Sequence, residues 1–205
     1  LATTQASGLI IVAGSGQSAR PINPARAASC GILSAQLAAQ GIIAFRNPLQ
    51  SPKGWMHAMS NEIDENMITD GLGENYSIME CYLKPYPSCR HTHCGLQAAA
   101  SLYPEIDAPV ESVKLYIYPN AISIAGQIIH PLSAEDSKFS IHYSLACMLV
   151  NGCFGLADLD ASAAGKAVEE MTNRIELIAD EAMENRDDGI RGARLELTLS
   201  NGKKL

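Results

Sequence analysis

The sequence has few of the features that define several large classes of protein. It contains three Phe and one Trp among 205 residues and has a formal net charge of -7, which disfavours a nucleic-acid-binding surface of basic patches and stacking aromatics. No apolar run approaches the roughly 20 residues that cross a bilayer. The N-terminal residues lack the basic leader and cleavage pattern of a signal peptide. We therefore expect a cytoplasmic protein with no membrane or nucleic-acid partner.

The six cysteines include no C-x-x-C pair, and a chain of this length does not need disulfides, so we expect reduced thiols. Cys89, His91, His93 and Cys94 are residue types that bind zinc. However, the adjacent His93 and Cys94 would point to opposite sides of a strand, and no second ligand pair follows at a fixed spacing. The close group of cysteines that an iron–sulfur cluster needs is also lacking. We predict a site with no metal and no cofactor.

Residues 84–93, KPYPSCRHTH, carry four side chains that can be positively charged and no acid. We call this segment the cationic loop, and its reversal of sign in an acidic protein indicates an anionic ligand. Lys84 and Arg90 can bind carboxylate oxygens, while His91 and His93 titrate near neutrality and can move protons. Two prolines stiffen the segment. Composition by itself favours the plainer interpretation, a surface loop with solvated charges.

Four blocks of the chain carry a family resemblance. The first combines residues 5–8, 23–28 and 31–41, the second is CYLKPYPSCRHTHCGLQAAASL at 81–102, and the others are DSKFSIHYSLA at 136–146 and ARLELTLSNG at 193–202. In order and approximate spacing they resemble the MmgE/PrpD family, which includes 2-methylcitrate dehydratases, cis-aconitate decarboxylases and iminodisuccinate epimerases. The resemblance covers nearly the whole chain. It is specific for the family and unspecific for the substrate.

The resemblance implies an α+β protein. Residues 1–82 are predicted to be part of an all-helical domain, and residues 83–205 a smaller α/β lid domain with an antiparallel or mixed sheet, incomplete at its C-terminal end. Since the family's enzymes carry a long helical portion before the equivalent of residue 1, we expect an internal piece of an enzyme, or a shortened relative, that is inactive by itself. The complete protein is expected to be a homodimer.

Local patterns predict the elements of both parts. Residues 1 to about 80 are predicted to be helical, including a helix of small side chains from an Asn23 cap to a Gly41 end. Alternating β-branched and aromatic residues predict three strands, followed by a turn at Asn201-Gly202. A third helix of the lid is expected at 161–173, and a solvated acidic loop at 180–192. The strands are predicted at 110–118, 174–178 and 193–199. The first two helices of the lid are predicted at 95–103 and 138–150. The helix at 138–150 is expected to be capped by Asp136 or Ser137 and to end at Asn151-Gly152.

The resemblance also implies roles for the residues of the cationic loop. Lys84 matches the family's site lysine, and Cys89, Arg90 and His93 match positions that line its pocket. We assign Lys84 and Arg90 to substrate carboxylates, with Ser88 and Cys89 beside them, and His93 to orientation or proton transfer. The alternative for His93 is a buried structural histidine.

Two further candidates lie outside the loop. Tyr143 matches a tyrosine that the family places toward the substrate, where a phenol can donate a proton, although an aromatic residue on a helix is more often core. Ser140 and Cys147 share its helical face. Arg20 stands where the family usually has a lysine; it is assigned to substrate binding, because arginine keeps the charge but cannot act as a base.

The leading hypothesis is a dehydratase of a small di- or tricarboxylate, similar to 2-methylcitrate dehydratase. An epimerase of an imino-dicarboxylate such as iminodisuccinate and a decarboxylase of the cis-aconitate type use related chemistry and stay open. A hypothesis of another class is a non-catalytic carboxylate-binding or subunit-interaction domain.

Overall fold

A computed structural model describes residues 1–9, 19–185 and 187–205. Contacts divide the described residues into two compact units, one of Leu1–Leu9 and Ala19–Leu83 and one that runs from Lys84 to Leu205. The helices of the described residues are α1 Ile22–Ala39, α2 Trp55–Met59, α3 His93–Leu102, α4 Pro119–Ala125, α5 Ala134–Ser137, α6 Ile141–Asn151 and α7 Lys166–Thr172. The strands are β1 Val110–Ile117, β2 Ile175–Ala179, β3 Glu184–Asn185, β4 Ile190–Arg191 and β5 Ala193–Leu199.

The main element of the first unit is α1, and its end is the predicted one. Gly41 has a φ of 84°, and its N–H bonds to the Ala38 carbonyl while the next N–H bonds to Leu37, which is the Schellman arrangement of a glycine-terminated helix. The predicted start is wrong by a residue or two. The N-cap is Pro21 rather than Asn23, because Pro21 already has a helical φ of -64°.

The rest of the first unit contains much less helix than predicted. Beyond α1 and the five-residue α2, its described residues form turns and short 3-10 helices such as Glu65–Ile68 and Ser77–Glu80. The reason is local chemistry, since residues 47–75 are rich in Asn, Asp, Pro, Ser and Gly, which favour turns. In α1 only Cys30 and Ser34 are buried, so the small side chains expected to pack against a neighbouring helix are exposed.

The second unit is organised around β1, the centre of a sheet with the order β2-β1-β5. β2 runs parallel to β1, with Val113 opposite Ile175, and β5 runs antiparallel, with Leu115 opposite Leu195. The sheet is therefore mixed, and the predicted α+β class is confirmed. The helices α4 to α7 form the crossover that a parallel pair requires. The three predicted strands agree with β1, β2 and β5 to within one residue.

The two faces of the sheet differ in polarity. On the exposed face Lys114 pairs with Glu176 at 3.9 Å, and the Arg194 guanidinium lies 3.8 Å from the centre of the Tyr116 ring. The other face is covered, and α3 packs against both β5 and α6. A bulge after Val110 shifts the buried positions of β1 by one residue. The buried positions of the sheet are Val110, Val113, Leu115, Ile117, Ile175, Leu195, Leu197 and Leu199.

α6 is the innermost helix, because every residue from Ile141 to Leu149 is buried. It starts three residues later than predicted. The cap is Ser140, whose hydroxyl accepts the backbone N–H of Tyr143 at 3.0 Å. The predicted caps Asp136 and Ser137 belong instead to the separate one-turn helix α5.

Two other predictions for the second unit need correction. The predicted helix at 161–173 begins only at Lys166, because Asp160 and Ser162 close a separate 3-10 turn and Gly165 is extended. The acidic segment 180–192 is more ordered than a solvated loop, since β3 and β4 pair within it. The predicted turn at Asn201-Gly202 is confirmed by a φ of 83° at Gly202 and by the hydrogen bond from Leu199 N–H to the Lys203 carbonyl.

Gly152 ends α6 as predicted, with a φ of 73°. We expect Gly152→Ala to lower the free energy of unfolding by about 1 to 3 kcal/mol, because a side chain disfavours this left-handed conformation. An added Cβ would also lie 2.5 Å from the Tyr103 ring. Gly202→Ala is the matched control, since its φ is 83° and no atom lies within 4 Å of an added Cβ. Urea unfolding should show the larger loss at Gly152, and equal losses would contradict a contribution from Tyr103.

Candidate functional site

The cationic loop opens the second unit and leads into α3. Arg90–Thr92 form a single 3-10 turn that continues directly into the helix at His93. The Cys89 N–H donates to the Lys138 carbonyl at 2.8 Å, and the 3-10 turn packs against α6. Two sequence motifs that lie about fifty residues apart are therefore adjacent in the structure.

Two of the predicted site residues converge on one carbonyl group. The Lys84 ammonium donates to the Ser88 carbonyl oxygen at 3.3 Å, and Nε2 of His93 lies 3.4 Å from the same oxygen. The Ser88 hydroxyl is hydrogen-bonded to the Thr92 hydroxyl at 2.7 Å. The loop is thus folded back on itself, so that Lys84 and His93 are neighbours.

The hydrogen bond fixes the tautomer of His93. A carbonyl oxygen only accepts, so neutral His93 carries its proton on Nε2 and has a lone pair on Nδ1. His93 is 2% exposed, and Nδ1 has no hydrogen-bond partner within the described residues. Burial lowers the pKa of His93; the charges of Arg90 and Lys84 act in the same direction, while the bond to Ser88 opposes them. His93 is therefore a neutral base beside two cations.

Arg90 and Arg20 complete the predicted cations. Arg90 is exposed, and its charge reaches the imidazoles on either side of Thr92. Arg20 belongs to the first unit, where it is half-buried in the turn before α1. Its part in substrate binding stays a prediction.

Tyr143 lies on α6 and is 4% exposed. Its hydroxyl donates to the Asp158 carbonyl at 2.7 Å, and burial raises the pKa of the phenol, which therefore stays protonated. Burial also raises the pKa of the neighbouring Cys147 thiol, to about 12, so this cysteine is not a nucleophile at neutral pH. The tyrosine is held as a proton donor, and its present acceptor is a backbone carbonyl.

Tyr143 also lines two cavities. One of about 150 Å³ is lined by Cys147, Asp158 and Asp160, and one of about 330 Å³ by His130 and Glu169. Both are lined by α6 and by residues between 157 and 172, and the larger one also by residues 129–131; the described residues of the cationic loop line neither. The structure thus brings Lys84, Ser88, Cys89, Arg90 and His93 together, whereas the Tyr143 hydroxyl bonds to the Asp158 carbonyl and lies beside cavities that the loop does not line.

The comparison with known families decides the classification of this fold. The family model described as the MmgE/PrpD C-terminal domain matches residues 86–205. The chain belongs to the MmgE/PrpD family. Members of this family include dehydratases and other lyases. No curated protein matches the chain.

The MmgE/PrpD match covers most of the predicted site. Ser88, Cys89, Arg90, His93 and Tyr143 lie within it, and the other two predicted residues precede it. In the part of the chain that the structure describes, no three side chains of His, Cys, Asp or Glu are grouped so that they could hold a metal ion. None of the described helices has both the length and the apolar character that a membrane crossing requires.

Sequence reasoning missed two interactions of this MmgE/PrpD site. One is the contact between Cys89 and Lys138, which involves only backbone atoms and leaves no sequence signal. The other is the hydrogen bond between His91 and Tyr118. The tyrosine follows directly after β1, where strand alternation no longer predicts the direction of a side chain.

Three histidines of the second unit make stability depend on pH. Burial is the largest cause that lowers the pKa of His91, His93 and His142 in the folded protein. The unfolded chain binds their protons near pH 6.5, whereas the folded protein binds them only at lower pH. Stability is therefore expected to fall as the pH drops below about 6.5, by up to about 1.4 kcal/mol per pH unit for each histidine.

Urea unfolding at pH 7.5, 6.5 and 5.5 measures this dependence. His142→Asn should reduce the slope, because its Nδ1 is buried without a partner among the described residues. The exposed His57 provides the control, and His57→Asn should leave the slope as it is. Equal stability at pH 7.5 and 5.5 would show that the folded protein binds protons at these imidazoles as readily as the unfolded chain does, which would contradict the lowered pKa values.

Proposed function

We propose that the protein is a cofactor-independent hydro-lyase that dehydrates a small di- or tricarboxylate, 2-methylcitrate or a close relative. The observation that supports this proposal is the convergence of Lys84 and His93 on the Ser88 carbonyl, with the Arg90 charge beside them. An anion with more than one carboxylate complements such a group of cations. Membership of a family that includes lyases supports a substrate, rather than an inert anion, as the ligand.

Dehydration next to a carboxylate follows from these residue types. Removal of a C–H proton places negative charge on the neighbouring carboxylate, and the C–O bond then breaks to release water. Lys84 and Arg90 stabilise the developing charge, and such electrostatic stabilisation is usually the largest contribution to catalysis. Ser88 and Cys89 shape the loop around the substrate in this proposal, and Arg20 is proposed by itself to bind a substrate carboxylate.

Two residues are proposed to handle protons. His93 has an unprotonated Nδ1 at neutral pH and orients the substrate or accepts its proton. Nδ1 of His93 is buried in the structure. Direct proton transfer from the substrate to this nitrogen therefore requires the cationic loop to move, or the substrate to reach the nitrogen beneath the loop. Tyr143 donates a proton to the leaving oxygen once its hydroxyl leaves the Asp158 carbonyl.

Proton NMR of the full-length protein with 2-methylcitrate in D₂O tests the proposed function. We expect new methyl signals from a product with a carbon–carbon double bond, together with loss of the substrate signals. Exchange of a C–H proton for deuterium without a new double bond would favour epimerisation, and release of carbon dioxide would favour decarboxylation. Binding without any reaction of this or related carboxylates would favour the non-catalytic hypothesis and overturn the proposed activity.

A further inference from the structure

His91 of the cationic loop and Tyr118 form a hydrogen-bonded pair. Nδ1 of His91 lies 2.6 Å from the Tyr118 hydroxyl, and the two rings are 5.6 Å apart at an angle of 57°. Tyr118 is 0% exposed and occupies the position between the end of β1 and the start of α4. The pair therefore links the turn that carries the predicted site residues to the central strand of the sheet.

The surroundings of the pair keep both rings uncharged at neutral pH. Burial raises the pKa of the Tyr118 phenol and lowers that of His91. The charges that face His91 are Arg191 of β4 and Arg90 of the loop, which favour the neutral imidazole, and Glu184 of β3, which opposes them and pairs with Arg191 at 3.4 Å. The Cys94 and Cys89 thiols lie near the phenol. A neutral imidazole accepts through one nitrogen, and a buried phenol needs an acceptor.

The turn that this pair supports has little stability of its own. Arg90–Thr92 is a single 3-10 turn, and such a short element depends on tertiary contacts for its orientation. Besides the hydrogen bonds within the loop and the packing against α6, two hydrogen bonds to more distant parts of the chain help to hold the turn. One is the bond from Cys89 N–H to the Lys138 carbonyl, and the other is the pair of His91 and Tyr118.

We propose that His91 and Tyr118 are positioning residues, in which the Tyr118 hydroxyl donates to Nδ1 of His91 and so fixes the turn that carries Arg90 and His93. The pair touches no substrate in this proposal. The positioning role rests on the proposed function in one respect, which is that the turn fixed by the pair is the turn proposed to bind a carboxylate. A turn held in its binding conformation before the ligand arrives loses less entropy on binding, so affinity depends on the pair.

The test compares Tyr118→Phe with Tyr116→Phe in the full-length protein. Both substitutions remove a phenol hydroxyl near the end of β1, but that of Tyr116 points to Glu196 on the exposed face of the sheet. In Tyr118→Phe we expect the amides of residues 90–93 to exchange about tenfold faster with solvent, and citrate to bind about three- to tenfold more weakly by calorimetry. Tyr116→Phe should change neither measurement.

The side-chain ¹⁵N signals of His91 provide a further measurement. Removal of the Tyr118 hydroxyl would leave these signals unchanged if Tyr118 had only a packing role. In the parent protein they should show an unprotonated Nδ1 and a protonated Nε2, and in Tyr118→Phe the pKa of His91 should rise, because its neutral form loses a donor. A protonated Nδ1 in the parent, or unchanged exchange at 90–93 in a folded Tyr118→Phe protein, would overturn the proposal. Should that variant fail to fold, His91→Ala replaces it in the exchange and binding measurements, since His91 is only partly buried.

The two proposals fail in different ways. If the parent protein binds citrate and converts no carboxylate, the proposed lyase function is wrong. The effect of Tyr118→Phe on citrate affinity then still tests the positioning role. If the parent binds no carboxylate at all, the exchange rates and the ¹⁵N signals still decide whether the pair orders the turn.

Discussion

Lys84→Ala and Arg90→Ala are each expected to weaken the binding of a tricarboxylate such as citrate about 10- to 150-fold. This range corresponds to the loss of one charge-assisted hydrogen bond, about 1.5 to 3 kcal/mol. Both side chains are exposed, and Lys84 contacts the rest of the protein through the Ser88 carbonyl, so melting temperatures should change little. Titration calorimetry of the full-length protein measures the affinity, and thermal unfolding confirms that the variants are folded.

Lys114→Ala is the matched control for these variants. Lys114 is an exposed lysine of the same unit, and it pairs with Glu176 on the outer face of the sheet. Its replacement removes the same charge from the protein and should leave citrate affinity within about twofold, since exposed charges act weakly over distance. If all three variants bind citrate equally, the attraction depends on net charge and the cationic loop is not the carboxylate site.

The sheet could be predicted closely because its signal is local. Residues of β1 and β5 alternate between apolar and polar types, and one buried face is enough to produce that alternation. The bulge after Val110 could not be predicted, since it depends on how β5 pairs with β1. Residues 40–80 show the opposite error. They were predicted to be helical, but their closely spaced turn-forming residues favour turns.

Helix starts were predicted less well than helix ends. Gly41 and Gly152 end α1 and α6 through a left-handed conformation that glycine adopts readily. The position of the glycine in the sequence therefore predicts where the helix ends. An N-cap depends on which of several nearby hydroxyl or carboxylate groups reaches a free N–H. For α6 the predicted cap was Asp136 or Ser137, and the structure uses Ser140.

For the candidate site, the sequence predicted the members of the cationic loop and not the contacts that organise it. Charge and family resemblance selected Lys84, Arg90 and His93. The Ser88 carbonyl on which two of them converge is a backbone atom, and Tyr118 is distant in the chain, so neither has a signal in composition or spacing. A long-range hydrogen bond becomes visible only when the fold places its two partners side by side.

The largest effect on turnover is expected at Tyr143. If its phenol protonates the leaving oxygen, Tyr143→Phe in the full-length protein should lower kcat by roughly 10² to 10⁴ and change KM little. The hydroxyl also donates to the Asp158 carbonyl, so the same substitution should reduce stability by about 0.5 to 1.5 kcal/mol. A loss of this size leaves a stable protein mostly folded at 25 °C and cannot account for a hundredfold loss of turnover.

Steady-state kinetics at a temperature where both proteins are folded separates the catalytic role of Tyr143 from a packing role. Tyr116→Phe removes a hydroxyl from the exposed face of the sheet and serves as the control, with expected kcat near that of the parent. A kcat within about threefold of the parent, accompanied by a lower unfolding midpoint, would show that Tyr143 is a core residue. Its hydroxyl would then serve only as the hydrogen-bond donor to the Asp158 carbonyl. The proton donor would then have to be sought beside the cationic loop.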